Sequence, residues 1–245
     1  MTVLEALADH ERVTDIAEVT GLPKSTVHRI LRVLVDHQFA LNVGGGRYLG
    51  GPRILSLSSK VLGRFEPAYY ADAALRKLQQ ETGYTVHLGL LVGDDVVYVA
   101  KVEGSKPYHM PSRVGMSIRP HCTAVGKAAL SWTDESQVRE MVRRAGMERR
   151  TAHTITDEDA LVAELRAVRE RGYALDMEEN ENGIICLGAP VFDHAGKAVG
   201  GVSISTLTLE PWKQPVEDLA GTVVKVGEEI SRSFGAPAAT AAVRS

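Results

Sequence analysis

Residues 22–31, LPKSTVHRIL, constrain the fold of this chain most, because they combine helical periodicity with a face of hydrogen-bond donors. Val27, Ile30, Leu31 and Leu34 recur at the spacing of one helix face, which predicts that this face packs on a core. The opposite face is either the solvated side of an ordinary helix or a surface suited to phosphates and base edges. It carries Lys24, Ser25, Thr26, His28, Arg29 and Arg32.

The segments before this helix favour the second interpretation. Residues 3–8 and 14–19 have apolar residues at helical spacing, and Thr14 is the predicted N-cap of the second helix. The sequence GLP at residues 21–23 ends that helix, and Pro23 or Lys24 opens a third helix that extends to about residue 37. Two helices joined by a short glycine-containing turn predict a helix-turn-helix.

A β-hairpin is predicted directly after the third helix. Residues 39–43 and 47–49 have strand character, and the three glycines at 44–46 can adopt the positive φ angles of a tight turn. This hairpin has the position of the wing in a winged helix-turn-helix.

Charge is distributed unevenly along this region. Residues 1–23 contain five acidic residues and one arginine, a net charge of −4, whereas residues 24–60 contain six basic residues and one acidic residue, a net charge of +5. The whole chain carries −3, so a nucleic-acid-binding surface has to be a local patch. The third helix and the hairpin supply such a patch.

The rest of the chain predicts a larger α+β domain. A connecting helix follows the hairpin, a further helix is expected near residues 135–145, and a long irregular segment occupies 103–121. Strands are expected at residues 85–92, 96–101, 173–177, 183–192 and 198–205. The predicted organisation is a DNA-binding domain at residues 1–51, a linker helix at 52–66, a second domain at 67–235 and a disordered tail at 236–245.

Composition excludes several classes of protein. A hydrophobic content of 44% and a charged content of 24% are typical of a globular protein, and two cysteines provide no disulfide framework. No apolar run approaches the roughly 20 residues that cross a bilayer. The first residues, MTVLEALADHER, lack the features of a secretory signal. We therefore expect a cytoplasmic protein that has no membrane partner.

Three sequence blocks, in the same order, resemble the IclR family of bacterial transcriptional regulators. They are GLPKSTVHRILRVL with RYLGGPRILSL, then HCTAVGKAALSW, then GYALDMEENENGIICLGAPVFDHAGKAVGGVSIS. The resemblance extends from about residue 3 to residue 235. Family members usually carry a longer segment before the first helix.

The resemblance implies a winged helix-turn-helix joined by a linker helix to a GAF-like effector-binding domain with an antiparallel sheet. It also implies a homodimer, or a dimer of dimers, bound to a pseudo-palindromic double-stranded DNA operator. Arg32 joins the predicted DNA contacts because arginine can pair with guanine through two hydrogen bonds. The resemblance places Lys24, Ser25, Thr26, His28 and Arg29 on the recognition helix, and Arg47 and Tyr48 on the wing.

By the same resemblance, an effector pocket lies above the sheet of the second domain. Strand alternation independently puts Ser203 and Ser205 on one face, and Met110 and Ile118 of the irregular segment are expected to close the cavity. The resemblance adds the helix-start residues Thr123, Ala124 and Val125, and the strand residues Asp176, Cys186, Ser203 and Ser205.

These groups suit a small polar metabolite such as an oxo or hydroxy acid. A carboxylate beside an anionic ligand repels it, so Asp176 is either protonated or bound to a hydroxyl or amine group. Structural roles are the alternatives: local hydrogen bonds for the two serines, simple burial for Cys186, and a solvated strand end for Asp176.

An enzyme or a metal protein is the main alternative class. Cys122 adjoins His121, and further histidines occur at positions 87, 109 and 194, but neighbouring side chains diverge and adjacency does not make a catalytic pair. The sequence has no CxxC, HExxH or GxSxG motif, and GLLVGDDV lacks the Gly-Lys-Ser/Thr of a phosphate-binding loop. We predict no catalytic residue, no metal and no cofactor.

The sequence therefore predicts a ligand-responsive DNA-binding transcriptional regulator, with repression as the leading mode. A transcriptional activator, or a metabolite-sensing module that does not regulate DNA, remains the alternative. The identities of the effector and the operator are open.

Overall fold

The computed structural model describes residues 2–62 and 66–238. Its internal contacts divide the chain into two compact units, Met1–Phe65 and Glu66–Ser245. The α+β class is confirmed, since helices and antiparallel strands occur in both units. Among the described residues, no helix combines the length and apolarity that a membrane span requires.

The first unit is a helix-turn-helix followed by a hairpin and a further helix, as the sequence predicts. Gly21, in the left-handed conformation with φ 66°, ends the second helix, and Pro23 immediately precedes the third. Ile16, Val27 and Leu31 are fully buried between the helices. The elements are α1 (Thr2–Asp9), α2 (Val13–Thr20), α3 (Lys24–Asp36), β1 (Ala40–Gly44), β2 (Arg47–Gly50) and α4 (Pro52–Leu62).

The predicted N-cap of α2 is wrong. The helix begins one residue earlier than Thr14, and its N-cap is Arg12, whose backbone is extended. Arg12 is held in that conformation by a β-bridge to Arg47 of the hairpin, so the chain enters the helix before it reaches Thr14. The Thr14 hydroxyl instead donates a hydrogen bond to the Asp15 carboxylate (2.8 Å).

The β1–β2 hairpin is fixed to the helices by its backbone. Its strands pair in antiparallel fashion from Ala40↔Gly50 to Gly44↔Arg47. Gly44, Gly45 and Gly46 have φ angles of 85°, 62° and 74°, a backbone conformation that residues other than glycine rarely adopt. The Tyr48 amide donates to the Glu11 carbonyl (2.7 Å), which attaches the hairpin to the segment before α2.

The second unit is built on one antiparallel sheet with the strand order β5-β4-β3-β8-β7-β6. Its strands are β3 (Thr85–Val92), β4 (Asp95–Val102), β5 (Ser117–Ile118), β6 (Ala174–Met177), β7 (Ile184–Phe192) and β8 (Ala198–Leu207). Its helices are α5 (Pro67–Thr82), α6 (Ala124–Leu130), α7 (Glu135–Ala145), α8 (Glu158–Arg171) and α9 (Val216–Ser233), with a 3-10 turn at Pro120–Cys122.

Helices α6 and α9 cover opposite faces of this sheet. A Cβ added to Gly188 or Gly201 would lie 2.9 Å from backbone atoms that include those of α6, so α6 approaches this face very closely. A Cβ added to Gly227 of α9 would instead lie 3.4 Å from Ala189 and 3.6 Å from Val202, the next residues along β7 and β8. Because side chains alternate along a strand, Ser203 and Ser205 lie on the α6 face with Gly201, as the alternation predicts.

Two predicted segments differ from the structure or lie outside its described part. The irregular segment at 103–121 contains the short strand β5, which pairs Val96 with Ile118, and the start of the 3-10 turn. Of the linker helix predicted at 52–66, residues 63–65 lie outside the described residues. The same holds for residues 239–245 of the predicted disordered tail.

Candidate DNA-binding surface and candidate ligand cavity

Helix α3 has a core face and a donor face. Val27 and Leu31 are fully buried, and Ile30 and Leu34 pack against the same core. On the opposite face Thr26 is half-buried, and the rest of the predicted contacts are exposed to solvent: Lys24, Ser25, His28, Arg29 and Arg32. The structure therefore brings these six residues together on one side of one helix.

The start of α3 is open to an anion. Its N-cap is Pro23, which provides no side-chain hydrogen bond to the amides of the first turn. Such amides carry partial positive charge and bind phosphate readily. Lys24 and Ser25 are exposed beside them, so a phosphate placed here meets both a charge and a hydroxyl.

The two predicted wing residues have different environments. Arg47 is half-exposed and pairs with Glu11 through its Nε (2.9 Å) and Nη2 (2.6 Å), so part of its charge is balanced within the unit. Tyr48 is buried, and its ring meets the ring of His28 edge-on with 6.5 Å between centroids. Tyr48 therefore supports the position of His28 from the core.

All nine residues predicted for the effector pocket line one cavity in the second unit, on the α6 face of the sheet. Its volume is about 50 Å³, which suits a ligand of a few heavy atoms. The predicted residues that line it are Met110, Ile118, Thr123, Ala124, Val125, Asp176, Cys186, Ser203 and Ser205. The residues of the wall that were not predicted from the sequence are His87, Tyr98, Pro111, Ser112, Met116, Asn180, Glu181 and Ile184.

Thr123 lies at the edge of the cavity where α6 begins. Its hydroxyl accepts a hydrogen bond from the Gly126 amide (3.2 Å) and donates to the Arg119 carbonyl (3.2 Å), so it is the N-cap of α6. A Cβ added to Gly126 would overlap the backbone of Pro120 at 2.3 Å. The start of α6 is thus fixed against the 3-10 turn, with Ala124 and Val125 facing the cavity.

Asp176 is a buried carboxyl in the cavity wall, with 2% of its surface exposed. Its Oδ1 accepts hydrogen bonds from the amides of Glu179 (2.7 Å) and Asn180 (3.3 Å). Burial raises the pKa of Asp176 to about 7, and the charge of Glu179 adds to this effect, while the two amides and Lys127 oppose it. Near neutral pH the side chain can therefore present either a carboxylate or a carboxylic acid to a ligand.

His87, which from the sequence was a candidate only for catalysis or metal binding, lies in the wall of this cavity. It is 2% exposed, its Nε2 lies 2.7 Å from the Ser112 hydroxyl, and its Nδ1 lies 3.4 Å from the Ser205 hydroxyl. The ring packs on Tyr98 with 4.7 Å between centroids. Burial lowers the pKa of His87 to about 3, helped by the charge of Lys101, so the imidazole is neutral.

The pairing of β3 with β8 explains why His87 lies in the cavity wall. His87 lies on β3 opposite Ser203 of β8, and therefore shares the face of the sheet on which the two serines lie. Recognising this requires the pairing of β3 with β8, which the sequence does not state.

Cys122 and His121 are adjacent in the sequence but do not form a catalytic thiol–imidazole pair. Burial raises the pKa of Cys122 to about 12, which keeps the group a thiol, and its sulfur lies 3.6 Å from the Arg119 carbonyl. His121 Nε2 instead faces the Glu148 carbonyl (3.2 Å). Within residues 2–62 and 66–238, no three His, Cys, Asp or Glu side chains are grouped as metal ligands.

Comparisons with known proteins agree with both units. A model of the IclR helix-turn-helix domain matches residues 1–43, and a model of the bacterial transcriptional regulator IclR C-terminal domain matches residues 59–232. The chain is 33% identical over 228 residues to the HTH-type transcriptional regulator XynR of Escherichia coli K12, covering 93% of this chain and 90% of XynR.

Two further proteins extend this similarity. The chain is 28% identical over 226 residues to the transcriptional repressor IclR of Escherichia coli K12, covering 91% of this chain and 82% of that protein. The crystal structure of Thermotoga maritima IclR is 36% identical with a TM-score of 0.67, over 95% of this chain and 96% of that chain. This chain therefore belongs to the IclR family: it is a DNA-binding regulator of transcription and not an enzyme.

Proposed function

We propose that this regulator is a repressor whose affinity for its operator is controlled by a small organic acid bound in the second unit. The observation that carries the proposal is the small cavity, whose wall contains hydroxyl and carboxyl groups. Residues of all six strands of the sheet and of α6 line it. The same chain also carries a helix-turn-helix domain. The similarity to the repressor IclR supports repression as the mode.

DNA contact is assigned to α3 and the hairpin. The major groove accepts one α-helix, and residues near the start of that helix reach base edges and phosphates. We assign base contacts to His28, Arg29 and Arg32, whose exposed side chains are long enough to cross the groove. Phosphate contacts are assigned to Lys24, Ser25 and Thr26 at the helix start. Arg47 is assigned a further phosphate contact, which replaces its hydrogen bond to Glu11.

We infer that two copies of the chain bind a pseudo-palindromic operator, each reading one half-site. The exposed apolar residues Leu55 (75% exposed) and Leu57 (53% exposed) on α4 support a role for this helix in dimerisation. Helix α1 is the second element we assign to the dimer, and pairs of dimers are the next level of assembly. We place this regulator in the cytoplasm, where its DNA target is found.

The ligand is assigned to the cavity through hydrogen bonds from its wall. Ser203, Ser205 and Asp176 provide the donors and acceptors that orient a hydroxy or oxo group, and Met110 and Ile118 cover it. A ligand regulates DNA binding only if it has different affinities for the DNA-bound and DNA-free arrangements of the dimer. Release from the operator therefore requires that the acid prefer the free arrangement.

In vitro selection from a pool of random DNA duplexes tests the DNA half of the proposal. We expect enrichment of an inverted repeat, and binding that weakens steeply as salt rises because counterions are released from the phosphates. A metabolite-sensing module would enrich no sequence. An activator would enrich the repeat as well, and in vitro transcription from a promoter that carries it distinguishes activation from repression.

A further inference from the structure

No side chain among the described residues of the cavity wall offers an anion a positive charge. Of the described residues that line it, none is lysine or arginine, and two, Asp176 and Glu181, are acidic. A carboxylate moved from water into such a cavity loses its hydration and gains no counter-charge, which is strongly unfavourable.

Two lysines close to the cavity are bound to groups of the protein itself. Lys127 is fully buried and binds Glu179 (2.5 Å) and Glu164 (3.4 Å). Lys101 donates to the carbonyls of Met110 (2.8 Å) and Ser112 (2.7 Å), which holds the covering segment, and pairs with Glu103 (2.8 Å). Neither ammonium group is available to a ligand in the cavity.

Asp176 has one oxygen that can serve a ligand. Oδ1 accepts both backbone amides, from Glu179 and Asn180, whereas Oδ2 has no hydrogen-bond partner among the described residues. As a carboxylate, Oδ2 repels a ligand carboxylate. As a carboxylic acid, it donates a hydrogen bond to one, and a bond between an acid and its conjugate base is short and strong.

We propose that the cavity binds a short monocarboxylic acid together with one proton, which the ligand carboxylate and Asp176 share. This inference rests on the proposed ligand-binding function and specifies its chemistry. The proton comes from solvent, no covalent bond is formed, and the two carboxyl groups together carry one negative charge. A dicarboxylate brings a second charge that nothing in the wall balances, so it binds more weakly.

Burial keeps the two thiols, the phenol and the imidazole around Asp176 in their neutral forms near neutral pH. Burial raises the pKa of Cys122 to about 12 and holds those of Cys186 and Tyr98 well above their ordinary values, while that of His87 is lowered to about 3. Glu179 and Lys127 are paired with each other outside the cavity. Glu181 is exposed at the cavity rim. Asp176, whose pKa burial raises to about 7, is thus the group that exchanges the proton.

Calorimetric titration of the full chain tests the proposal directly. The probes are acetate, glycolate, lactate and propionate, each paired with its neutral amide, in two buffers of different ionisation enthalpy over about pH 6 to 8.5. Above pH 7 we expect the acids to take up nearly one proton per chain and to lose about tenfold in affinity per pH unit. The amides should bind without proton uptake.

Asp176→Asn and Asp193→Asn form a matched pair of variants. In Asp176→Asn the side-chain amide can donate in place of the acid proton while its oxygen accepts the two backbone amides, so acid binding should lose its pH dependence. Asp193→Asn removes a carboxyl group that also accepts two backbone amides but lies outside the cavity, and should leave proton uptake intact. The wild-type titration tests the proposal even if Asp176→Asn fails to fold.

Three results would overturn the inference in distinguishable ways. Acid binding without proton uptake by the wild-type chain contradicts proton sharing while the ligand-binding function stands. Proton uptake that persists in folded Asp176→Asn assigns the proton to another group. Binding of no acid and no amide at any pH contradicts the proposed ligand class, and the inference with it.

Discussion

Asp176 is folded into a position where its ionised form is disfavoured, and this should make the second unit less stable as pH rises. The pKa of Asp176 is about 7 in the folded chain, against an ordinary value of 3.8. Between these values the folded state binds the extra proton, so the free energy of unfolding falls as pH rises from about 4 to about 7 and is constant above that. The fall attributable to this group is on the order of 4 kcal/mol.

Urea unfolding followed by tryptophan fluorescence measures this effect, because both tryptophans, Trp132 and Trp212, lie in the second unit. Asp176→Asn should flatten the profile and be more stable than the wild type above pH 7. Asp193→Asn is the matched control, since Asp193 also accepts two backbone amides (2.9 and 3.0 Å) but in a surface turn. A wild-type profile that does not fall between pH 4 and pH 7 would contradict burial of the carboxyl.

His87 should hold the covering segment to the sheet. His87→Phe preserves the packing on Tyr98 but removes the hydrogen bonds to Ser112 and Ser205. We expect the free energy of unfolding to fall by about 1–3 kcal/mol. We expect faster hydrogen exchange at residues 110–116 in this variant. His109→Phe is the control, because His109 is largely exposed. Unchanged exchange in His87→Phe would contradict a role of His87 in holding the segment, and would leave Lys101 and the backbone bonds to Tyr98 as its attachments.

At the residue scale, the sequence predicted the residues of the cavity where they belong to a recognisable motif. Seven of the nine residues assigned to the pocket lie in the matched blocks, and they meet Met110 and Ile118 of the irregular segment at one cavity. His87 and Tyr98 were not assigned, because their approach to the cavity depends on the pairing of β3 with β8 and β4. The pairing of β3 with β8 joins residues more than one hundred positions apart, and no local pattern specifies it.

At the element scale, α6 depends on a buried ion pair. Lys127 is 1% exposed and binds Glu179, whose Oε2 has no hydrogen-bond partner in the described structure. Lys127→Met leaves this carboxylate buried without a counter-charge, so we expect a loss of about 3–5 kcal/mol in the free energy of unfolding, measured by urea titration.

The double variant Lys127→Met, Glu179→Leu removes both charges and should recover much of that loss. Arg143→Met is a useful reference, because Arg143 is exposed where it pairs with Glu158 and should change stability by less than about 1 kcal/mol. A Lys127→Met variant as stable as Arg143→Met would mean that Glu179 is protonated in the folded chain.

Periodicity predicted the long elements well and the short ones poorly. Strand β3 and helix α7 have the predicted bounds, because alternating or helical apolar patterns extend over their whole length. Strand β5 has two residues and lies in a segment with three prolines, so it has no period to detect and depends on its pairing with β4. Thr14 failed as an N-cap because a contact with the hairpin decides where α2 begins.

At the scale of the whole molecule, Arg29 should determine which DNA sequence is bound. Arg29→Ala removes an exposed donor from the centre of the α3 face, and loss of a base contact costs about 1–3 kcal/mol per half-site. In fluorescence anisotropy, we expect affinity for the selected duplex to fall at least about tenfold, toward that for a scrambled duplex.

Lys225→Ala controls for the change in charge, because Lys225 is exposed on α9 in the second unit. Lys24→Ala should weaken both duplexes alike and reduce the dependence on salt, as expected for a phosphate contact. Equal affinity of folded Arg29→Ala and wild type for the selected duplex would remove Arg29 from the base contacts.

The most direct test of ligand control is the affinity of the wild-type chain for its selected duplex with and without a saturating acid from the calorimetric panel. Since the bound acid must favour one arrangement of the dimer, we expect its addition to lower DNA affinity by at least about fivefold. A folded Ser203→Val, Ser205→Val variant should not respond. An acid that binds the cavity and leaves DNA affinity unchanged would contradict ligand control of this regulator.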